Sequence, residues 1–346
     1  MIAIHTYAPC GEDDNIDKPL VYNMLLSVLL ANVFFDGIKL YTTKKVKEVV
    51  EYIGIPYMEI ITEPFDDYDY KTFSIPKLIT FSLQEEPFIH LDLDTHIYNI
   101  DQNKLNELDI FYSYPDMPVD GGKYDEVKKL YETYLINLYK MEDRLSPDLK
   151  EKITLFDIPN FCVFGGRDFR LIKKAVDYCL ELYKNNMEHF DSNYYNACII
   201  EQLLIPSAVK LLSGKLPEEH VYLFDITDKL TIQTINEDHI NPEYPFTINF
   251  NRKSRVIKNE QQLYNMVNYD FNEIVHLNGY KNMQQFLFLT KEMIIQRFKG
   301  YQYILRINTL FPEKNEFDNI SKRYYETLKT NLVDWDKTFK FKSDLL

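Results

Sequence analysis

The first hundred residues alternate between apolar runs of strand length and segments with helical periodicity, and this order constrains the fold most strongly. Strands are predicted at residues 2–7, 38–42 and 57–61, and helices at residues 18–32, 44–52 and 74–84. Repeated β-α-β order with short connections predicts a mostly parallel sheet with helices on both faces, an α/β fold. Ligands of such sheets bind beyond the carboxyl ends of the strands, so we expect the functional residues to follow strands.

The rest of the chain is more varied but continues the α/β pattern. Strands are predicted at residues 110–114, 161–166, 221–224, 246–250 and near 273–281, and helices at residues 124–145, 167–185 and 193–212, the last with a break at Pro206. From residue 283 the chain is predicted to be mostly helical and polar. We therefore expect one domain at residues 1–282 and a helical C-terminal extension at residues 283–346 packed on it.

Composition excludes several classes of protein. With 346 residues, of which 45% are hydrophobic, the chain can bury a large core. Its net charge of −14 argues against a nucleic-acid-binding role. Four cysteines without C-x-x-C spacing indicate neither a zinc site nor a disulfide framework. Met1 leads directly into a strand and no apolar run reaches the roughly 18 residues of a membrane span, so we expect a soluble, cytoplasmic protein without a transmembrane segment.

Two carboxylates, Asp92 and Asp94, follow the apolar run of residues 88–91. In an extended chain alternate side chains share a face, so both carboxylates are expected to point the same way. Hard oxygen ligands at the end of a strand are suited to a divalent metal beside a phosphate, and burying two like charges without a cation is costly. The alternative is an ordinary acidic pair on the surface. His90 and His96 are each an even number of residues from the acids, so alternation along a strand would put them on the same face, and they are further candidate ligands. However, His90 lies deeper in the apolar run and His96 lies beyond the expected strand end.

An α/β N-terminal half in which a strand ends in Asp-Leu-Asp resembles the GT-A glycosyltransferases. In those enzymes an Asp-x-Asp motif binds Mn²⁺ or Mg²⁺ at the diphosphate of a nucleotide sugar. Lys77 lies in the helix before the acids, where these enzymes often carry a basic residue, and residues 160–166 resemble the family's later strand. His276-Leu-Asn-Gly-Tyr-Lys281 is similar to the His-x-x-Gly-x-x-Lys element of the retaining family that includes glycogenin. This chain has one residue fewer between Gly279 and Lys281 and lacks the Pro-Trp that commonly follows. The resemblance covers about residues 1–282.

The resemblance implies a role for each matching residue. It implies a metal held by Asp92, Asp94 and His276, a diphosphate contacted by Lys77, Lys281 and the backbone at Gly279, a base and ribose held by Thr6, Tyr7 and Ala8, a sugar pocket lined by Gly165 and Gly166, and Glu201 with Gln202 near the anomeric carbon. Glu201 would act as acceptor-side base or electrostatic stabiliser. The implied cofactors are Mn²⁺ or Mg²⁺ and a nucleoside-diphosphate sugar, with a UDP-sugar expected, and the acceptor is a glycan, lipid or protein. The His-x-x-Gly resemblance alone favours retention at the anomeric carbon over inversion, and both stay open.

Each role has a structural alternative. His276 is a structural histidine in a strand, Glu201 a solvated helix charge, Gly165-Gly166 a turn, and Lys77 an exposed helix residue. Residues 337–342, which are basic and aromatic, either touch a membrane surface peripherally or belong to a packing helix.

Two rival functions also fit parts of the sequence. A phosphohydrolase of the haloacid dehalogenase type also has a strand ending in Asp-x-Asp, but its motif has Thr or Val where His96 stands, and it occurs near the start of the domain. A non-catalytic GT-A-like sugar-binding protein is the other rival. The oligomeric state is left open by the sequence.

Overall fold

The computed structural model describes about half of the chain. The described residues are 1–9, 16–65, 74–113, 145–153, 159–185, 199–213, 247–250, 253–256, 274–276, 290–291, 293–295 and 297–312, with the backbone alone described for 247–250, 253–256 and 274–276. The predicted helix at residues 124–145 lies outside them except for its last residue, as does the predicted strand at residues 221–224.

A mixed, mostly parallel sheet forms the centre of the described structure. Its strands are β1 Ile2–Tyr7, β2 Ile38–Thr42, β3 Glu59–Ile61, β4 Phe88–Leu91, β6 Phe111–Tyr112 and β7 Val163–Gly166. The spatial order is β3-β2-β1-β4-β7-β6, in which β1 pairs in parallel with β2 and β4, β2 pairs in parallel with β3, and β7 runs antiparallel to both β4 and β6. The predicted α/β class, a mostly parallel sheet flanked by helices, is confirmed.

Two small strand pairs lie outside this sheet. They are β5 Thr95–Ile97 with β10 Ile274–His276, and β8 Thr247–Phe250 with β9 Lys253–Val256, both antiparallel. The first pair is important because β5 follows the acidic residues directly.

Local capping fixes the ends of several helices. They are α1 Lys18–Ala31, α2 Lys44–Ile53, α3 Ser74–Ser82, α4 Gln102–Glu107, α5 Pro147–Lys152, α6 Phe169–Lys184, α7 Ile205–Ser213 and α8 Tyr301–Leu310, with a 3₁₀ turn at Glu63–Phe65 and a π-helix at Ile199–Leu204. The Asp17 carboxylate caps α1 by accepting from the Leu20 N–H at 2.8 Å. Gly54 ends α2 at a φ of +82°, in the left-handed region that glycine adopts without strain.

Apolar layers cover both faces of the sheet. The layer on one face draws residues from α1, α2, β2 and β4, among them Leu25, Leu40, Val50, Ile89 and Leu91. The layer on the other face draws residues from α3, α6, α7, β4 and β7, among them Phe81, Phe88, Phe164, Val176 and Ala208. Burying a side chain of this size stabilises the fold by about 1.5 to 3 kcal/mol, so these layers fix the sheet against its helices.

The described part of the C-terminal region packs on the first layer. Its residues Met293, Ile294, Ile304 and Ile307 are buried there, and the Arg306 guanidinium on α8 donates to the Ile53 carbonyl at 3.0 Å. No helix in the described ranges combines the length and apolar character needed to cross a bilayer.

Candidate functional site

The acidic pair lies in a tight turn, not in an extended strand. β4 ends at Leu91, and the Thr95 N–H donates to the Asp92 carbonyl at 2.9 Å, closing a turn before β5 begins. The acids do follow the carboxyl end of a buried strand, as predicted. The argument from strand alternation does not apply to the two carboxylates, because the turn replaces the extended backbone on which that argument depends.

Neighbouring elements hold this acidic turn, residues 92–95, in place. The Cys162 carbonyl accepts both the Asp92 N–H at 2.8 Å and the Thr95 hydroxyl at 3.3 Å. From α1, the Ser27 hydroxyl donates to the Thr95 carbonyl at 2.6 Å. The turn is therefore attached to both the strand region before β7 and the helix after β1.

A lysine lies between two of the predicted site carboxylates. Lys77 Nζ on α3 lies 2.6 Å from Asp92 Oδ1 and donates to Glu201 Oε1 in the π-helix at 2.9 Å. The three side chains are only 14%, 21% and 5% exposed, respectively. Lys77 is not an exposed helix residue, and Glu201 is not a solvated helix charge. Residues from three distant segments thus form one charged cluster, which we name the Lys77 cluster (Lys77, Asp92 and Glu201).

Burial and charge shift the proton affinities within this cluster. Burial alone would lower the pKa of Lys77, but the Asp92 and Glu201 carboxylates more than offset this and raise the pKa above its ordinary value. Burial raises the pKa of Glu201, the Lys77 ammonium opposes that rise, and the Asp92 carboxylate adds to it. Lys77 therefore stays charged, whereas Glu201 takes up a proton more readily than a glutamate in water.

The π-helix that carries Glu201 precedes a proline. Pro206 has no backbone N–H and lies in the first turn of α7, so the regular i to i−4 bond from that position cannot form. Single π-helical turns of this kind are frequent at functional sites because they displace side chains from the helix register. The break predicted at Pro206 is therefore expressed as a change from π-helix to α-helix, next to Gln202 and Glu201.

His90 lies against the Lys77 cluster, but the structure does not support a role as metal ligand. Its ring is buried against the edge of Phe81, and its Nδ1 lies 4.0 Å from Asp92 Oδ1. Burial, with the nearby charge of Lys77 and with His5, lowers the pKa of His90 well below its ordinary value. Among the side chains that the structure describes, which include His90 and His96, no group of three His, Cys, Asp or Glu residues is arranged to hold a metal.

The backbone brings His276 next to the acidic turn. β10 pairs with β5 so that His276 lies opposite Thr95, the residue that follows Asp94. The side chain of His276 is outside the described atoms, as are all atoms of Gly279 and Lys281. Two carboxylates in one turn and a histidine on the neighbouring strand form a donor set suited to Mn²⁺ or Mg²⁺. Because Lys77 already engages Asp92, Asp94 and His276 would be the principal protein ligands.

The predicted base-binding residues lie at the carboxyl end of β1, the same end of the parallel strands as the acids. Thr6 and Tyr7 end β1, which pairs in parallel with β4, and Ala8 follows. The Thr6 hydroxyl oxygen is buried and has no hydrogen-bond partner within the described part of the chain. This is a polar atom suited to a ligand beyond the strand end.

Gly165 and Gly166 lie near the amino end of β4, away from the acids. β7 is antiparallel to β4, so Gly166 pairs with Phe88 and Gly165 with Ile89, at the end of β4 away from the acids. A Cβ on Gly165 would lie 2.1 Å from the Phe88 carbonyl oxygen, which explains the glycine by close strand packing. The expectation that these glycines line the sugar pocket is wrong. The residues of this segment nearest the acids are instead Asn160 to Val163, before and at the start of the strand.

Comparison with known proteins gives a family but no activity. Residues 18–285 match a family of unknown function, DUF6734. No curated protein matches the chain in sequence. One similar solved structure is the galactosyltransferase LgtC in complex with donor and acceptor sugar analogues, with 11% identity and a TM-score of 0.31, covering 59% of this chain and 71% of that one. Another is an active-site mutant of LgtC, with 8% identity and a TM-score of 0.32, covering 59% and 70%. Because these identities and TM-scores are low, the fold class is argued from the strand order described above and not from the two LgtC structures.

Proposed function

The chain belongs to the family of unknown function DUF6734, and from the site itself we propose that it is a metal-dependent glycosyltransferase. It would move a sugar from a nucleoside-diphosphate sugar to an acceptor. The observation that carries this proposal is the Lys77 cluster beside an acidic turn at the carboxyl end of β4, where ligands of α/β sheets bind.

The charges of the cluster suit departure of a diphosphate. Sugar transfer leaves negative charge on the departing phosphates, and a buried cation stabilises that charge far better than an exposed one. A divalent cation held by Asp94, His276 and the second oxygen of Asp92 would supply most of this charge stabilisation when bound. Lys77 offsets part of the negative charge of Asp92 and Glu201, which would otherwise oppose a bound diphosphate. Lys281, with Gly279 beside it, would add a further charge from the His276 element.

We assign Glu201 the role of acting on the reacting groups. Its carboxylate is 5% exposed, and burial raises its pKa, so it holds or accepts a proton at a higher pH than a free carboxylate. It would accept the proton of the acceptor hydroxyl or stabilise positive charge at the anomeric carbon, with Gln202 beside it on the π-helix. Thr6, Tyr7 and Ala8 would hold the base and ribose, with the buried Thr6 hydroxyl as one donor.

The surroundings of the reaction are proposed on the same basis. We infer a UDP-sugar donor, a glycan, lipid or protein acceptor, and action in the cytoplasm. Residues 1–282 would form the catalytic domain and residues 283–346 an extension, whose residues 337–342 lie outside the described part and would either pack as a helix or contact a membrane surface peripherally.

One observation favours a second candidate function. Lys77 already neutralises Asp92, and a cluster of alternating charges can bind sugar hydroxyls with no metal ion. The second candidate is therefore a metal-independent, non-catalytic sugar-binding protein. The phosphohydrolase is disfavoured because the acids follow the fourth strand of the chain and His96 stands where that motif has Thr or Val.

A thermal-shift assay separates the three functions. Protein with UDP-sugars or GDP-sugars, each with and without Mn²⁺, is compared with protein plus vanadate. Stabilisation by a nucleotide sugar that requires Mn²⁺ supports the transferase, stabilisation without Mn²⁺ supports the binding protein, and a response to vanadate alone supports the phosphohydrolase.

Release of nucleotide from a donor library should follow the same requirement for Mn²⁺. Asp94→Asn should abolish release, whereas the exposed control Asp109→Asn, an acid paired with Arg167, should not.

A further inference from the structure

A row of hydrogen bonds runs beneath the acidic turn, through residues that the proposed reaction does not use. Tyr57 OH lies 2.8 Å from His5 Nδ1, His5 Nε2 lies 3.2 Å from Ser27 Oγ, and Ser27 Oγ lies 2.6 Å from the Thr95 carbonyl oxygen. The residues come from the loop before β3, from β1 and from α1. Their contacts end on the backbone of the turn that carries Asp94.

The donors and acceptors of this row can be assigned by elimination. A carbonyl oxygen only accepts, so the single hydroxyl hydrogen of Ser27 is donated to Thr95. Ser27 Oγ must then accept from His5, which places the His5 proton on Nε2. A neutral ring protonated at Nε2 has its lone pair on Nδ1, and that nitrogen accepts from the Tyr57 hydroxyl. One direction satisfies every contact, from Tyr57 through His5 and Ser27 to Thr95.

The surroundings keep both titratable members neutral. His5 is fully buried, and burial lowers its pKa to about 3, a shift opposed by Asp92 and reinforced by His96. Burial also raises the pKa of the Tyr57 phenol well above its ordinary value. The row therefore carries no charge at neutral pH and does not compete with a cation for the carboxylates.

We infer that Tyr57, His5 and Ser27 form a directional hydrogen-bond relay that positions the acidic turn for cation binding. The inference rests on the proposed function, because it takes this turn as the cation-binding element. Thr95 is the last residue of the turn and the register partner of His276, so the relay fixes the point where the two ligand-bearing segments meet. The three are positioning residues, because their hydrogen bonds described above end on the backbone carbonyl of Thr95.

The first experiment locates the His5 proton. Long-range ¹H–¹⁵N spectra of full-length protein with labelled histidine, assigned against His5→Gln, report which ring nitrogen is protonated. The relay requires the Nε2–H tautomer in the wild type. Tyr57→Phe removes the donor to Nδ1 but leaves Ser27 as the acceptor of the Nε2 proton, so the Nε2–H tautomer should persist in that variant. A wild-type His5 protonated at Nδ1 would overturn the relay.

The second experiment measures affinity for Mn²⁺ alone, from the loss of the free-ion EPR signal on titration with full-length protein. Partners that orient metal ligands typically contribute about 10- to 100-fold in affinity, and a relay acting through backbone should contribute about 3- to 10-fold. Ser27→Ala should weaken binding by that factor. The matched control is Ser207→Ala, which also removes a buried helical hydroxyl, one that donates to the Leu203 carbonyl at 2.7 Å, and affinity should then stay within about twofold.

The outcomes distinguish the relay from the proposed function. If the wild type binds Mn²⁺ and Ser27→Ala binds equally well, the relay inference is overturned and the proposed function stands. If the wild type does not bind Mn²⁺, both are contradicted. Should Ser27→Ala fail to fold, Tyr57→Phe supplies the same comparison with Tyr178→Phe as control, because Tyr178 bonds Ser146 away from the site.

Discussion

Lys77 Nζ and Glu201 Oε1 lie 2.9 Å apart and join α3 to the π-helix near the carboxyl end of β4. The same ammonium lies 2.6 Å from Asp92 Oδ1, so a single lysine offsets the charge of two poorly exposed carboxylates only in part. Removing one partner of a buried ion pair is costly because it leaves the other charge buried and uncompensated. The stability of this region and the chemistry proposed for it therefore involve the same side chain.

Replacing Lys77 should destabilise the fold in a pH-dependent way. Lys77→Met leaves two buried carboxylates, and we expect a loss of about 3 kcal/mol in the free energy of unfolding near pH 8. Glu201 then has a folded-state pKa raised still further, so its protonated form is favoured on folding and the deficit shrinks as the pH falls towards 5. Urea unfolding at both pH values measures this. Lys39→Met, which removes the more exposed Lys39–Glu59 pair, should cost about 1 kcal/mol or less at either pH.

Glu201→Gln should separate structure from chemistry. The amide oxygen can still accept from Lys77, so unfolding free energy should change by about 1 kcal/mol or less. Loss of an acid–base group typically lowers turnover by about 100-fold or more, and we expect that loss in nucleotide release with donor binding retained. Glu181→Gln on the exposed face of α6 serves as control and should leave turnover unchanged. Full turnover in Glu201→Gln would remove this residue from the mechanism.

Gly165→Ala tests the corrected role of the β7 glycines. The added Cβ would lie 2.1 Å from the Phe88 carbonyl oxygen, so the strands must separate, and we expect destabilisation of about 2 to 4 kcal/mol. Folded Gly165→Ala protein should keep its Mn²⁺ affinity, because the glycine lies at the edge opposite the acids. A normal unfolding free energy with impaired donor binding would instead restore the pocket role.

The buried His5 should make stability fall in mild acid. Burial lowers its pKa to about 3, whereas in the unfolded chain it titrates near 6.5, so protons bind the unfolded state preferentially between these values. The stability that the neutral ring contributes is present above pH 6.5 and is lost as the pH falls towards 3, by about 2 kcal/mol already at pH 5. Denaturant unfolding of wild type and His5→Gln at pH 7.5 and 5 should show the smaller pH dependence in the variant. Equal pH dependence in the two proteins would mean that His5 is not held neutral.

Periodicity predicted the architecture well because each core element carries its own signal. The helix at α2 and the strand at β2 have apolar residues at the spacing that burial requires, and local caps such as Gly54 mark their ends. The tight turn at the acids was not predicted, since its hydrogen bonds come from Cys162 and Ser27, which are distant in sequence.

Long-range pairing explains the remaining differences in the site. The position of Gly165 depends on β7 running antiparallel to β4, and strand direction is not encoded in the local pattern. The contact of Lys77 with Glu201 depends on packing between α3 and the π-helix. The relay had one sequence signal, a histidine at position 5 directly after the apolar residues 2–4, but its partners Ser27 and Tyr57 had none.

The most direct test of the account is a crystal structure of the protein with Mn²⁺ and UDP, measured at a wavelength where manganese scatters anomalously. We predict an anomalous peak coordinated by Asp94 and the His276 imidazole, with the UDP phosphates completing the coordination and the base near Thr6. A structure with bound UDP, no peak at the acidic turn and the His276 ring directed away from Asp94 would contradict it.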